Sequence, residues 1–450
     1  MLKRYLFRFY RGLSGANFWF RQRFTPAGFL VLWGIVFSGV VGLDTSFTIA
    51  YQLFWFLLCL LLVSLAWALF SKGRFSATRQ LPRFGTVDVP LAYTISLENN
   101  SRREHHDLLV NEQPDDPRPA LAQFLNTPEP NEEKRNWFDR LGGHYRWRWL
   151  LKKNAAFENS PAEVPRLAPN CNTTLEQSLV PRHRGVLQLR DVRVSWLDPF
   201  GLVRPWHRAA APQSVLILPR RFPVTPLGLP GDVKYQPGGV TLASSVGQSE
   251  EFVSLREYRP GDPLRHIHWR SWAKTDKPIV KEFLDEFFVR HALVLDTFAQ
   301  PGQDDLFEDA VSVAASFACT IPDQESLLDL MFVGPEAYCF TAGRGVAPPE
   351  RMLEILAAVS PCCNHPFGAL ERLLLRHVAQ VTSCVCVLLD WDEPRRALIR
   401  QLRFLGVPVQ VYVMRASDPA QPLDTRPVAD CPACLHTVVA GKVQEAFACK

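Results

Sequence analysis

Two apolar runs without a charged side chain lie within the first 71 residues, and they constrain this chain more than any other feature. Phe24 to Leu43 (FTPAGFLVLWGIVFSGVVGL) is twenty residues long; Thr45 to Ser71, which contains YQLFWFLLCLLLVSLAWALF, is longer. A hydrocarbon core of ~30 Å is crossed by about 20 helical residues at ~1.5 Å each. Only Asp44 separates the runs, so the pattern predicts a transmembrane hairpin of two helices over about 24–43 and 51–70. A buried core hairpin is the alternative; a cleaved signal peptide carries one short apolar region, not two long ones.

The flanking charges orient this hairpin. Lys3, Arg4, Arg8, Arg11, Arg21 and Arg23 form a basic tail over residues 1–23 that holds no acid, and Lys72, Arg74, Arg79 and Arg83 follow the second run. Cations stay on the cytoplasmic side, so a multi-pass protein with both termini in the cytoplasm is expected. The net charge is +5, and setting aside the six cations of the tail leaves −1 for residues 44–450. A near-neutral body argues against nucleic-acid binding, which needs a basic face for many phosphates. Eleven cysteines suit a reducing compartment.

Residues 75–225 read as a β-rich, sandwich-like domain. Apolar alternation runs from Val87 through Val89, Leu91, Tyr93 and Ile95 to Leu97. In GVLQLRDVRVSW (185–196) it slips by one residue near Arg190 and Asp191, which predicts a bulge or a break between two strands. SVLILP (214–219) reads as a further strand and LDPFGL (197–202) as a turn. A polar, Pro-rich insertion over about 101–165 contains NWFDRLGGHYRWRWLLKK (136–153), whose aromatic and cationic residues suit either a bilayer surface or an insertion packed on its own domain.

Residues 222–248 are rich in Pro, Gly and Ser and read as a linker. Beyond them, apolar strand patterns at 292–295, 327–333, 381–389 and 407–413 alternate with helical patterns at 303–319, 348–359, 367–378 and 394–405. That order predicts a mostly parallel α/β sheet covered on both faces. Ligands bind such sheets at the carboxyl ends of the strands, where Asp296, Asp390 and Asp392 stand. Carboxylates meeting there suit a hard cation such as Mg²⁺, or they cap helices. The Cys-x-x-Cys of CPACLH (431–436), with PCCNH (361–365) upstream, suits zinc or redox work, or plain buried thiols. No phosphate-binding G-x-x-x-x-G-K-[ST] loop, H-E-x-x-H or G-x-S-x-G is present.

SLREYRPGDPLRHIHWRSWAKTDKPIVKEF (254–283) joins the linker to the α/β region. Asp262 and Pro263 predict the start of a short helix with Leu264 and Ile267 facing the core, and Pro278–Leu284 reads as a strand. Its charges form either an internal strut of paired side chains or a face that docks a partner.

This stretch, with PRHRGVLQL (181–189) and DPFGL (198–202), resembles the signature of the bacterial domain of unknown function 58 family. The resemblance implies a C-terminal α/β domain similar to the von Willebrand factor A (Rossmann-like) fold. It implies partnership with a MoxR-type AAA+ ATPase in assembly or remodelling of envelope-associated proteins, with a transglutaminase-like membrane protein as a frequent companion, and no established enzymatic reaction. Arg256, Glu257, Tyr258, Arg259, Gly261, Asp262, Arg265, His268, Trp269 and Arg270 are its signature positions here. Of the metal-binding Asp-x-Ser-x-Ser pattern of the von Willebrand fold, Asp296 matches the first Asp and Asp390 the last, but Phe298 and Gln300 stand at the Ser positions. The resulting expectation is a membrane-anchored adaptor at the bacterial inner membrane. A metal-dependent enzyme at the Asp cluster and a purely structural envelope protein are the alternatives.

Overall fold

Three helices lead the chain in the computed structural model: α1 (Leu2–Arg23), α2 (Pro26–Val41) and α3 (Thr48–Phe70). The structure describes residues 2–41, 48–71, 73–130, 132–224, 252–260, 264–283, 289–320, 326–343, 347–416, 423–428 and 431–448. The basic tail is therefore a helix. Within α3, Ile49–Phe70 is long and apolar enough to cross a membrane by length and composition; among the described residues it alone meets that measure. The described 16 residues of α2 span about 24 Å; the helix starts at Pro26 rather than Phe24, and residues 42–43 of the apolar run lie outside the described residues. Phe24 is diverted into a bridge with Val203. Thr25 instead caps α2, its hydroxyl accepting the Gly28 amide at 3.0 Å, with Pro26 as the first helical residue. Apolar side chains of α2 (Phe29, Leu32, Ile35) and α3 (Leu60, Leu61, Leu65) share one cluster.

The first of two compact units, Met1–Leu218, continues into a β-sandwich. Its strands are β1 (Phe75–Gln80), β2 (Phe84–Thr86), β3 (Leu91–Asn99), β4 (His105–Glu112), β5 (Phe157–Asn159), β6 (Ala162–Leu167), β7 (Asn172–Pro181), β8 (Gly185–Ser195) and β9 (Trp206–Leu218). One sheet has the order β1-β3-β7-β5 and the other β2-β9-β8-β4-β6. Ile95, Leu97 and Leu179 from the first meet Leu108, Val110, Leu189, Val194 and Ile217 from the second, as alternating strands that bury one face require. The phase slip is a bulge: Leu189 pairs with Gln213, but Asp191 pairs with Ala210. Val87 and Val89 do not extend β3, because Asp88 turns the chain at φ 59° and leaves Val89 exposed. The expected insertion is also smaller than its polarity suggests. β4, β5 and β6 lie within it, with His106, Asp107, Glu158, Glu163 and Arg166 exposed, and α4 (Leu121–Asn126), α5 (Trp137–Gly142) and α6 (His144–Lys153) leave the sheets.

A buried ion pair crosses this sandwich. Arg79 donates through Nε and Nη2 to Glu112 at 2.8 and 2.7 Å, and Tyr93 donates its hydroxyl to the same carboxylate at 3.0 Å. Burial, followed by the Glu112 charge, pushes the Tyr93 phenol well above its ordinary value.

The second unit, Pro219–Lys450, opens with a two-stranded sheet of β10 (Phe252–Glu257) and β11 (Ile279–Phe283), with α7 (Trp269–Thr275) between them. Its main sheet contains β12 (Val289–Leu295), β13 (Ser326–Val333), β14 (Ala337–Ala342), β15 (Ser383–Leu388), β16 (Val409–Arg415) and β17 (Leu435–Val439). The order is β14-β13-β12-β15-β16-β17, parallel except for the β14 edge. α8 (Asp304–Thr320), α9 (Pro349–Ala358), α10 (Gly368–His377), α11 (Glu393–Phe404) and α12 (Val443–Ala448) complete it. Leu370, Leu374, Leu398 and Leu402 of α10 and α11 pack with Ala292, Val294, Cys386 and Val411. Tyr412, one residue on, meets Phe317 of α8 and Phe447 of α12 at 4.9 and 6.0 Å. Successive strand residues point to opposite faces, so helices cover both. The linker expected over 222–248 lies outside the described residues except at 222–224, where the Phe222 amide donates to Ser316 of α8 at 2.9 Å.

Candidate functional site

At the carboxyl end of β12, Asp296 is fully buried. It accepts the amides of Phe298 and Leu389, each at 3.0 Å, and the Nε of Arg395 at 2.6 Å. Arg395 reaches there from the first turn of α11, where Asp392 is the N-cap. The Asp392 carboxylate accepts the Arg395 amide at 3.2 Å and its Nη1 at 2.7 Å. Pro394 pre-sets the helical start. The guanidinium also lies 5.0 Å from the Phe367 ring, which meets Phe298 edge-on at 5.7 Å. Burial lowers the affinity of Arg395 for its proton, but Asp296 and Asp392 outweigh that and hold it above its ordinary value.

The carboxylate expected to face a cation is paired instead with a side chain. A buried carboxylate needs a counter-charge, and Arg395 supplies it to Asp296. Asp390 is exposed and accepts its neighbour's amide, that of Trp391, at 2.7 Å. Among the described residues no group of three or more His, Cys, Asp or Glu is placed to hold a metal. Cys431 and Cys434 are joined by a disulfide, with Cα atoms 5.6 Å apart. Cys362 donates to the Gly334 carbonyl at 3.3 Å, and His365 contacts that of Pro335 at 2.9 Å.

The charged stretch folds as a hairpin with a helical excursion. Glu257 pairs with Ile279 and Leu255 with Lys281 across β10 and β11. The Tyr258 amide donates to Pro278 at 2.9 Å, and the His268 amide to Ile279 at 2.8 Å. Ile267 and Val280 are buried, but Leu264 is 68% exposed rather than part of the core. Leu264–His266 is a 3₁₀ turn and α7 begins at Trp269, while the helix start expected at Asp262 and Pro263 lies outside the described residues. His268 Nδ1 meets the Ser271 hydroxyl at 2.7 Å in the first turn. Asp276 closes α7 in the left-handed region, its amide on the Trp272 carbonyl at 2.9 Å. Trp269 stacks on Trp272 at 5.2 Å yet remains 64% exposed.

Glu257 meets Lys277 at 3.2 Å, with both side chains exposed, and Arg256 donates to the Glu257 carbonyl at 3.2 Å. Arg259 and Arg270 are exposed. Gly261, Asp262 and the Arg265 side chain lie outside the described residues.

Residues 254–422 match the family model described as Protein of unknown function DUF58. A stretch of 217 residues is 27% identical to "Uncharacterized protein YeaD" of Bacillus subtilis (strain 168), covering 46% of this chain and 52% of that one. The chain therefore spans about half the length of that relative. Among solved structures, the CARDB domain of the PF1109 protein of Pyrococcus furiosus, in complex with di-metal ions, overlaps 32% of this chain and 89% of its own at 10% identity and a TM-score of 0.17. GH20 exo β-N-acetylglucosaminidase from Vibrio harveyi overlaps 77% and 58% at 9% identity and a TM-score of 0.16. Likeness at that level carries no argument about this chain.

A second cluster, missed in the sequence, surrounds the DPFGL turn. Asp198 is buried and accepts the amides of Leu202 and Val203 at 2.6 and 2.8 Å and the hydroxyl of Ser64, in the middle of α3, at 2.6 Å. The Thr25 hydroxyl donates to Gly201 at 2.6 Å, and the Trp196 indole N–H donates to Ser71 at 3.0 Å. Gly28 faces the Leu202 carbonyl, which a Cβ would meet at 2.2 Å. The turn therefore joins the sandwich to α2 and α3. The DPFGL turn itself was legible in the sequence; its contact with the helices was signalled there only by a serine and a glycine inside otherwise apolar runs.

Proposed function

We propose that this chain is a membrane-anchored adaptor whose β10–α7–β11 hairpin docks a MoxR-type AAA+ ATPase. The single observation that carries this reading is the exposed surface of the hairpin. Trp269, Leu264 and Leu255 stand out to solvent beside Arg259 and Arg270, and Trp and Arg are the residues that anchor interfaces most strongly. Resemblance to the domain of unknown function 58 family supplies the class of partner. The parallel sheet with helices on both faces agrees with a von Willebrand factor A-like domain, one that meets its partner without a bridging metal because Arg395 takes the cation's place beside Asp296.

Anchoring rests on α3 as a full span and α2 as a shorter companion in a two-pass hairpin, with both termini in the cytoplasm at the bacterial inner membrane. The Asp198 joint ties this anchor to the sandwich. Holding the partner at the membrane raises its effective concentration there, and the ATPase supplies the energy for assembly or remodelling of envelope-associated clients, a transglutaminase-like membrane protein among the candidates. The test is capture by the tagged full-length chain in mild detergent, with and without a non-hydrolysable ATP analogue. A nucleotide-dependent AAA+ ATPase in the eluate is the expected result; its absence in both conditions rejects the reading.

A further inference from the structure

Helix α1 and the excursion between β4 and β5 form a ledge with its own small core. Phe7 of α1 packs with Phe124, Trp147 and Leu150, its ring 5.7 Å from that of Trp147. The Tyr10 hydroxyl donates to the Gly142 carbonyl at 3.0 Å. Arg146 donates to Glu132 at 2.6 Å and to the Phe124 carbonyl at 3.0 Å, locking α6 to α4. Gly143, at φ 63°, divides α5 from α6, so Trp137, Phe138 and Leu141 point elsewhere than Trp147 and Leu150.

On α1 and α5 this core leaves outside mostly aromatic, aliphatic and basic side chains, with Asp139 of α5 half-buried among them. Trp137 and Phe138 are 74% and 70% exposed, and with Leu141, four residues after Trp137, they make one face of α5. On α1, Tyr5, Phe9 and Leu13 are exposed and recur every fourth residue, so they form an apolar stripe. Arg4, Arg8 and Arg11 make a parallel basic stripe on the same helix, which contains no acid, and Arg140 is exposed on α5. The two helices adjoin, since Lys3, Leu6, Arg140 and Leu141 line one cleft. α1 ends at Arg23 and α2 begins at Pro26, so the ledge is tethered two residues from the apolar helices.

We propose that α1 and α5 form an interfacial foot that rests on an anionic bilayer surface. Trp137 and Phe138 sit at the boundary between headgroups and acyl chains, and Arg4, Arg8 and Arg11 contact anionic headgroups. Aromatic side chains with one apolar and one wet side, flanked by cations, are the composition that lies in a membrane plane. Each cation near an anionic surface adds to the attraction. The proposal rests on the anchoring reading above and adds a second contact with lipid.

The test uses the full chain in nanodiscs of phosphatidylcholine and phosphatidylglycerol, with or without acyl chains brominated near the headgroup. Subtracting the emission of W137F from that of the wild type isolates Trp137, whose exposed site tolerates the change. The expected result is that brominated lipid removes at least half of this difference emission. It is also expected that R4Q/R8Q/R11Q, or discs without phosphatidylglycerol, restore most of it. Equal difference emission in brominated and plain discs overturns the proposal, including the case in which it varies with protein concentration and so reports a second copy. Quenching that survives both charge changes overturns the role of the arginines. Trp33, Trp55 and Trp67 on α2 and α3 report separately on the anchor. If they are quenched and Trp137 is not, the foot alone fails; if none is quenched, the anchoring reading fails.

Discussion

Without Arg395, the Asp296 carboxylate would remain fully buried with two backbone amides and no counter-charge. Removing one member of a buried pair typically costs ~3–5 kcal/mol, whereas replacing both is often nearly neutral. R395M should therefore lower the melting temperature sharply, and R395M/D296N should recover most of the loss; if R395M melts like the wild type, the pair is not what holds the strand end together. Because the Arg395 guanidinium already supplies the counter-charge of Asp296, millimolar Mg²⁺ should leave wild-type melting unchanged, and a rise would revive the metal reading. Gly28 offers a second single-residue test. A methyl group there meets the Leu202 carbonyl at 2.2 Å, whereas one at Gly12 of α1 meets nothing within 4 Å. G28A should destabilise the joint by ~1–3 kcal/mol, while G12A should be neutral or stabilising by up to ~1 kcal/mol. Matching effects from the two substitutions would contradict the close approach.

At the scale of an element, β12 has a pH dependence of its own. Burial pushes the His291 imidazole below its ordinary value, and its Nδ1 meets the Ser383 hydroxyl at 2.7 Å. The folded chain then takes up this proton at lower pH than the unfolded chain does. The contribution of His291 is thus present in full above the unfolded value of ~6.5 and is lost as pH falls through the folded value. Melting temperatures measured between pH 7.5 and 5 should decline less steeply for H291Q than for the wild type; parallel declines would remove His291 from the account. Elements with strong period were legible in the sequence. Four parallel strands and the helices between them lie where their apolar patterns are, and the slip at Arg190 and Asp191 is a real bulge. β14 and β17 were missed because edge strands are mostly half-exposed and carry little apolar signal. Val87 and Val89 misled because alternation alone does not reveal the turn at Asp88. The candidate site was legible only in part: Asp296 stands at its strand end as expected, but its partner Arg395 is 99 residues away, and no local pattern links them.

At the scale of the whole molecule, the account assigns separate work to three places on one chain. In the proposed function α2 and α3 are the anchor and the β10–α7–β11 hairpin is the docking face, while the Ser64 hydroxyl on Asp198 joins α3 to the sandwich turn. The hairpin's contribution is the central claim. A docking face and an internal strut predict opposite outcomes for the same change, because Arg259 and Trp269 are exposed and exposed side chains away from caps and cores usually shift stability by within ~0.5 kcal/mol. Truncating two interface anchors removes ~2 kcal/mol or more each from binding. The most direct measurement is nucleotide-dependent capture of the AAA+ ATPase by the full-length wild type and by R259A/W269A, with melting temperatures recorded on the same preparations. The account predicts that the variant loses at least nine-tenths of the captured ATPase while melting within about a degree of the wild type. Undiminished capture by a variant that melts several degrees lower would show the hairpin to be a strut and contradict its role in docking.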